Sequence, residues 1–165
     1  MHLGPGLSLS QIPPALNWGT MKTVREILAG KGSFIWSIQP DATVFEALQT
    51  MSDNDVGALI VLDGETVAGV LSERDYARKV ILHGRSSKEL MVKEIMSAKV
   101  YFVKPEQNIE DCMALFTNKR VRHLPVLEND KLRGIISIGD VVKAVIAEHE
   151  FTIKHLENYI TGGLS

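Results

Sequence analysis

Displaced by 65 positions, the chain lies over itself. Ile38–Ile81 matches Val103–Ile146 without a gap, and ten of the 44 paired positions are identical: Pro40/Pro105, Val56/Val121, Leu59/Leu124, Val61/Val126, Leu62/Leu127, Gly69/Gly134, Ser72/Ser137, Asp75/Asp140, Val80/Val145 and Ile81/Ile146. Most of the rest are conservative, such as Val44/Ile109, Leu48/Met113 and Val70/Ile135. A shorter echo precedes each copy, Val24–Leu28 against Val92–Met96. An ungapped match of this length marks a duplicated unit. A unit of about 60 residues is marginal alone because it buries too little of its surface, so the two copies are expected to share their burial.

Periodicity reads the same elements in both copies. After a short strand near Trp36–Ile38, or near Tyr101–Val103, a proline leads into a helix whose N-cap is Thr43 or Asn108. The apolar stripes Val44, Ala47, Leu48, Met51 and Ile109, Cys112, Met113, Phe116 follow i, i+3, i+4, i+7 spacing, so each helix turns one face to a core. Two strand-like runs follow, Ala58–Leu62 and Val67–Ser72 across Asp63-Gly64-Glu65, then Leu124–Leu127 and Leu132–Ser137 across Glu128-Asn129-Asp130. A second helix ends each copy. The fold class is α/β, two β-α-β-β-α repeats packed sheet to sheet as a pseudo-twofold pair, with clefts where the halves meet. The expected division is 21–84 for the first repeat, 85–160 for a linker plus the second, and 161–165 for a tail. Residues 1–20, rich in Gly, Pro and Ser and without Lys or Arg, are expected to be a mobile extension or a cloning scar.

Composition narrows the functions. A formal charge of −2 and a pI near 6.2 provide no whole-molecule field for nucleic acid or an anionic membrane. No run reaches the roughly 20 apolar residues that span a bilayer, and the single cysteine, Cys112, excludes an intramolecular disulfide framework. A cytoplasmic location is the expectation. The histidines have no metal-ligand company at i, i+4, and Gly30-Lys31-Gly32 lacks the length and ending of a phosphate loop. No metal or obligatory cofactor is expected.

The chemistry concentrates in 119–140, KRVRHLPVLENDKLRGIISIGD. In Gly69–Asp75 and Gly134–Asp140 a strand ends in Ser and a helix starts just after it, with Asp three residues on. Such a Ser-x-x-Asp is a capping box, or an anion site made of a hydroxyl and helix N-terminal amides; both readings stand. Arg122 and His123 enter the next strand where the first copy has Gly57 and Ala58. Packing alone does not explain a basic pair in one copy and the smallest residues in the other, so the asymmetry points to one phosphate-binding cleft. Arg74, aligned with Gly139, supplies further charge from the other copy. Lys119 and Arg120 offset the dipole at a helix C-terminus without needing a ligand. Cys112, aligned with Ala47, reads as a buried small hydrophobe. A helix from Val141 to about Ile160 carries Ile146, His149, Ile153, Leu156 and Ile160 at alternating spacings of three and four, a seam for a homodimer or a face lying on its own domain.

The repeat, together with Glu73-Arg74-Asp75, Arg120-Val-Arg122-His123-Leu-Pro125-Val126 and Ser137–Val142, resembles the tandem CBS-domain module, or Bateman module, over about 22–160. The likeness is to stand-alone CBS-pair proteins of bacteria and plant organelles. It implies a regulatory module rather than an enzyme, which binds AMP, ADP, ATP, NAD or S-adenosylmethionine between its repeats, and which forms disc-like dimers. On that likeness Asp140 and Asp75 take ribose hydroxyls. Ser137, with Arg122 and His123, takes the phosphate, and Ile138, Gly139, Ser72 and Arg74 are counted among the ligand-binding residues. Groups near Tyr101, Phe102 and Pro125 hold adenine. The expectation is an AMP-binding homodimer acting on an unidentified protein partner. The alternatives are a ligand-free dimerisation module and, more remotely, a small hydrolase using His123 and an Asp.

Overall fold

The computed structural model describes residues 22–32 and 34–162, so the expectations for 1–20 and 163–165 lie outside the described residues. The elements run α1 (Val24–Lys31), β1 (Ser37–Ile38), α2 (Val44–Asn54), β2 (Ala58–Asp63), β3 (Thr66–Ser72) and α3 (Glu73–Lys79). A 3-10 turn, Ile81–His83, is followed by α4 (Val92–Ile95), α5 (Ile109–Lys119), β4 (His123–Glu128), β5 (Lys131–Ser137) and α6 (Ile138–Gly162). The chain thus holds two β-α-β-β-α repeats.

Local chemistry sets the boundaries. Thr23, Thr43 and Asn108 each accept a hydrogen bond from the backbone three residues on, and Glu26, Glu46 and Asp111 reach back, three reciprocal caps each worth about 1 kcal/mol. α2 ends on Asp55 and α5 on Arg120, both left-handed. The hairpins close over two-residue loops, Asp63 pairing with Thr66 and Glu128 with Lys131, where Gly64, Asn129 and Asp130 have positive φ. A register shift falls at Val61/Leu62 in one hairpin and at Val126/Leu127 in the other, so even the irregularity is repeated.

Three expectations need correcting. The short strand near Tyr101–Val103 is reduced to one parallel bridge, Val103 to Val126, because only Val103 exchanges backbone bonds, with Pro125 and Leu127. Met113 is not core: Ile109, Cys112 and Phe116 turn inward, while Met113 lies on the flank and is 39% exposed. The final helix begins three residues early, at Ile138, because it leaves β5 without a loop.

The two short leading helices are exchanged. α1 lies against the second repeat: Val24 N–H donates to Gln107, Arg25 N–H to Pro105, and Ile109 N–H to Lys22. α4 lies against the first: Val92 N–H donates to Ala42, Lys93 N–H to Pro40, and Val44 N–H to Leu90. The hydrophobic cores follow suit. One joins Val24, Ile27 and Leu28 to Ile109, Cys112, Leu124, Val126 and Ile136. The other joins Leu90, Val92 and Ile95 to Val44, Ala47, Met51, Leu59, Val61 and Leu71. Each core therefore draws on both sides of residue 84.

The glycines at equivalent positions make this exchange possible. A Cβ on Gly69 would stand 2.8 Å from Met96 Sδ and from the Ser97 carbonyl, and one on Gly134 would stand 2.7 Å from Leu28 Cδ2. Each repeat thus keeps a bare backbone where the visiting segment crosses its strand. Ile60 and Pro125, also equivalent, sit on the strand faces turned away from Leu59/Val61 and Leu124/Val126. Both are buried, so the second face of each sheet is covered as well.

Candidate functional site

A cleft of about 480 Å³ opens between the repeats, within the usual size range for small-ligand sites. One wall is Val70, Ser72, Arg74, Asp75, Arg78 and Lys79, from the end of β3 and from α3. The opposite wall is Arg120, Val121, Arg122 and His123, the approach to β4. The segment Ser97 and Lys99–Tyr101 closes it between them. Six Arg or Lys side chains converge on a space with one carboxylate, Asp75.

The strand endings place these groups. Ser72 pairs with Ala58 across the first hairpin and Ser137 with His123 across the second. In both copies the Ser-x-x-Asp forms a complete capping box: Asp75 accepts from Ser72 N–H at 3.0 Å, and Asp140 from Ser137 N–H at 2.9 Å. The return bonds from the Asp amides to the Ser hydroxyls measure 3.2 and 3.1 Å. The other oxygen of Asp75 faces Lys79 Nζ at 3.3 Å and Ser97 Oγ at 3.4 Å. Lys79 also donates to the Ile95 carbonyl at 2.9 Å.

Of the residues singled out from sequence, Ser72, Arg74, Asp75, Tyr101, Arg122 and His123 line this cleft. Phe102, Pro125, Ser137, Ile138, Gly139 and Asp140 do not. Pro125 is buried, Phe102 is 38% and Ile138 is 36% exposed, and the Ile138 amide is spent on the Arg122 carbonyl at 3.0 Å. The basic pair of the second repeat therefore lines one cleft with the Ser-x-x-Asp of the first, while His123 also neighbours its own through the pairing with Ser137. Asp140 has another partner: Lys31 forms an ion pair with it and donates to the Ile135 carbonyl at 2.8 Å.

The electrostatics agree with the geometry. Desolvation, then Arg122 and Arg78, hold the Arg74 guanidinium below the usual arginine range, which places cations of both repeats in one field. Burial pushes His123 below the ordinary histidine range; Lys31 and Arg122 add to this, while Asp140 and Asp75 oppose it. His123 thus stands between the two carboxylates. For Asp140 burial alone would raise the pKa, yet hydrogen bonds from Lys31 and Ser137 hold it below the usual carboxylate range. Tyr101 carries Lys119 Nζ at 5.4 Å and Lys99 Nζ at 5.7 Å from its ring centroid, a cation-flanked aromatic face at the cleft.

Sequence reasoning missed Arg78, Lys79, Lys99 and Lys31, and gave Arg120 only a helix-dipole role. Two had a signal: Arg78 and Lys79 follow Arg74 and Asp75 at i, i+4, which puts them on the same helical face. Lys31 and Lys99 each stand seven residues after the first residue of a leading helix, Val24 or Val92, a correspondence visible only once the leading segments are paired with each other. Among the described residues no group of His, Cys, Asp and Glu could hold a metal ion.

Paired β-α-β-β-α repeats with a basic cleft between them define a class of small-molecule-binding modules. The chain belongs to the CBS-domain family, whose model matches residues 32–81 and 92–147. It is 40% identical over 151 residues, 86% of this chain and 73% of the relative, to the Arabidopsis thaliana protein described as "CBS domain-containing protein CBSX3, mitochondrial". Among solved structures, a putative signal-transduction protein with CBS domains from Burkholderia ambifaria superposes with a TM-score of 0.74 at 50% identity, covering 76% of this chain and 95% of that one. The CBS domain pair of protein MJ0100, solved with 5′-methylthioadenosine and S-adenosyl-L-methionine, shares the fold at a TM-score of 0.69 and 15% identity, over 78% and 99% of the two chains.

Proposed function

We propose that the chain is a non-catalytic regulatory module that binds a phosphorylated adenosine ligand in the cleft between Asp75 and Arg122-His123, AMP in the first instance, with ADP, ATP and NAD in the same class. The observation that carries this reading is the convergence of six cations from both repeats on one nucleotide-sized space with a single carboxylate. Arg122 and the other cations that line the cleft take phosphate. Asp75 exchanges Lys79 and Ser97 for ribose hydroxyls, and Tyr101 offers a face to the base. S-adenosylmethionine, with its sulfonium, is disfavoured by the same excess of positive charge. Since the ligand touches both repeats, binding shifts how they pack, and a homodimer transmits that shift to a separate protein partner. We place the protein in the cytoplasm, beside a relative whose name places it in mitochondria; imaging of the tagged full chain from its native source tests this.

Thermal melts with AMP, ADP, ATP, NAD and S-adenosylmethionine test the reading. A ligand specific for the folded state adds about 2.7 kcal/mol at a hundredfold excess over its Kd. We expect a shift with the phosphorylated ligands that is lost in Asp75→Ala and kept in Asp140→Ala. Loss in Asp140→Ala alone would move the site to the second Ser-x-x-Asp, and turnover of nucleotide would contradict a non-catalytic role. One observation favours a second reading, a ligand-free dimerisation module: both Ser-x-x-Asp carboxylates are already satisfied within the chain. Absence of a shift with every ligand would establish it over the first.

A further inference from the structure

Each Ser-x-x-Asp carboxylate has a lysine on it, but the two lysines come from different places. Asp75 takes Lys79, one turn along its own helix, at 3.3 Å. The residue equivalent to Lys79 is Ala144, which is buried, so α6 has no cation to offer Asp140 from that position. Lys31, the last residue of α1, comes instead, and its Nζ donates both to Asp140 Oδ2 and to the Ile135 carbonyl. The carbonyl equivalent to that of Ile135, on Val70, accepts from the Ser97 backbone N–H at 2.9 Å. The helices explain the difference. α4 stops at Ile95 and lets Ser97 lie along β3, whereas α1 stays helical as far as Lys31 and meets Ile135 with a side chain. Lys99, the counterpart of Lys31, has its Nζ over the Tyr101 ring in the open cleft. One carboxylate site is thus present twice, once facing an open cleft and once with a lysine from another element in it.

We propose that Lys31 is a built-in occupant of the second Ser-x-x-Asp, that it confines nucleotide binding to the Asp75 cleft, and that the site it closes is selective for a ribonucleoside without phosphate. This rests on the reading above that such a carboxylate receives ribose hydroxyls. An ammonium group donates to the carboxylate as a hydroxyl does and adds a full charge. Lys31 is also tethered, because α1 is fixed to the second repeat by backbone bonds to Gln107 and Pro105. A group held on a short tether competes at an effective concentration on the order of millimolar. The Asp140 pair is sheltered, its lysine side chain 31% exposed against 44% for Lys79. Lys79 can leave Asp75 and keep its bond to the Ile95 carbonyl at 2.9 Å, so the first site opens without moving another element. Phosphate is disfavoured at the second site because the positions equivalent to Arg122 and His123 are Gly57 and Ala58, which bring no charge.

The test is equilibrium dialysis of adenosine against full-length chains carrying Asp75→Ala, which takes the open cleft out of the count. Asp75→Ala alone is expected to bind no adenosine, and adding Lys31→Ala to create one equivalent of binding. Adding Asp140→Ala as well is expected to abolish it, and AMP is expected to bind the double variant more weakly than adenosine. Lys31→Met, which keeps the stem and removes the charge, serves where Lys31→Ala does not retain the circular dichroism of the intact chain. No gain of adenosine binding on loss of Lys31 would overturn the proposal, as would a gained equivalent that survives Asp140→Ala. Binding to Asp75→Ala that is lost with Asp140→Ala would show the second site open with Lys31 in place, and would overturn it too. Tighter binding of AMP than of adenosine by the double variant would refute the selectivity. Failure of the Asp75 reading shows separately, as a wild-type chain whose melting AMP does not shift.

Discussion

At the scale of single residues, His123 has the most to say, because the cleft and the second Ser-x-x-Asp both border it. Burial is the main reason its pKa lies below the ordinary range, and the neighbouring Lys31 and Arg122 push the same way. A histidine that is harder to protonate folded than unfolded contributes stability above its unfolded pKa, about 6.5, and that contribution is lost as pH falls through the folded value. Denaturant melts of the free protein are therefore expected to weaken as pH drops below about 6.5, and His123→Gln to flatten that slope. An unchanged slope in the variant would locate the titration elsewhere. The difference between Arg122-His123 and Gly57-Ala58 could be seen in the sequence because the repeat provides its own control. Which cleft they line could not, since bringing one repeat's basic residues beside the other's strand ending is a tertiary fact. Lys31 was unreadable for the same reason: its ion pair with Asp140 spans 109 positions.

At the scale of elements, strand and helix positions were legible to within one or two residues in most cases, because side-chain periodicity, caps and turn residues all agree locally. The misses arise where that agreement fails. Tyr101–Val103 has strand composition but only one bridging residue, and Met113 fits a helical stripe whose edge no described element covers. Gly69 and Gly134, identical in the repeat, owe their small size to the visiting segments, since Met96 and Ser97 after α4 cross the one and Leu28 of α1 the other. They should respond differently to substitution. At Gly69 an added methyl meets the backbone carbonyl of Ser97, which cannot step aside, whereas at Gly134 it meets only the end of Leu28. Gly69→Ala is expected to cost about 2–3 kcal/mol, and Gly134→Ala about 1 kcal/mol or less. Urea melts of both variants decide it, and equal losses would show that the carbonyl moves as readily as the leucine.

At the scale of the whole molecule, the two repeats act as one body. The duplication predicted a pair and a cleft, and both are present. The sequence did not disclose that the leading segments change places, although their echo was visible, because an echo says what is alike and not what is adjacent. The cleft's positive field is equally a property of the assembled pair: the chain as a whole is slightly acidic, and only folding gathers six cations into one space. α6 continues far beyond its counterpart, since the first repeat's second helix stops at Lys79 and gives way to a 3-10 turn. The copies are alike in their cores and differ at the cleft and in the length of their last helix.

The exchange of α1 and α4 bears on how the chain can be cut. A protein whose halves each keep their own core survives separation; this one resembles clasped hands, each holding part of the other. Residues 22–84 alone would carry α1 with nothing to lie on and a core lacking Leu90, Val92 and Ile95. Expressed separately, 22–84 and 85–162 are expected to be unfolded, and on mixing to recover the circular dichroism of the intact chain. Two fragments that each fold alone would mean that the clasp is ornamental. A chain nicked after residue 84 should accordingly hold together as a tight complex of two peptides, neither of which has a structure of its own to return to.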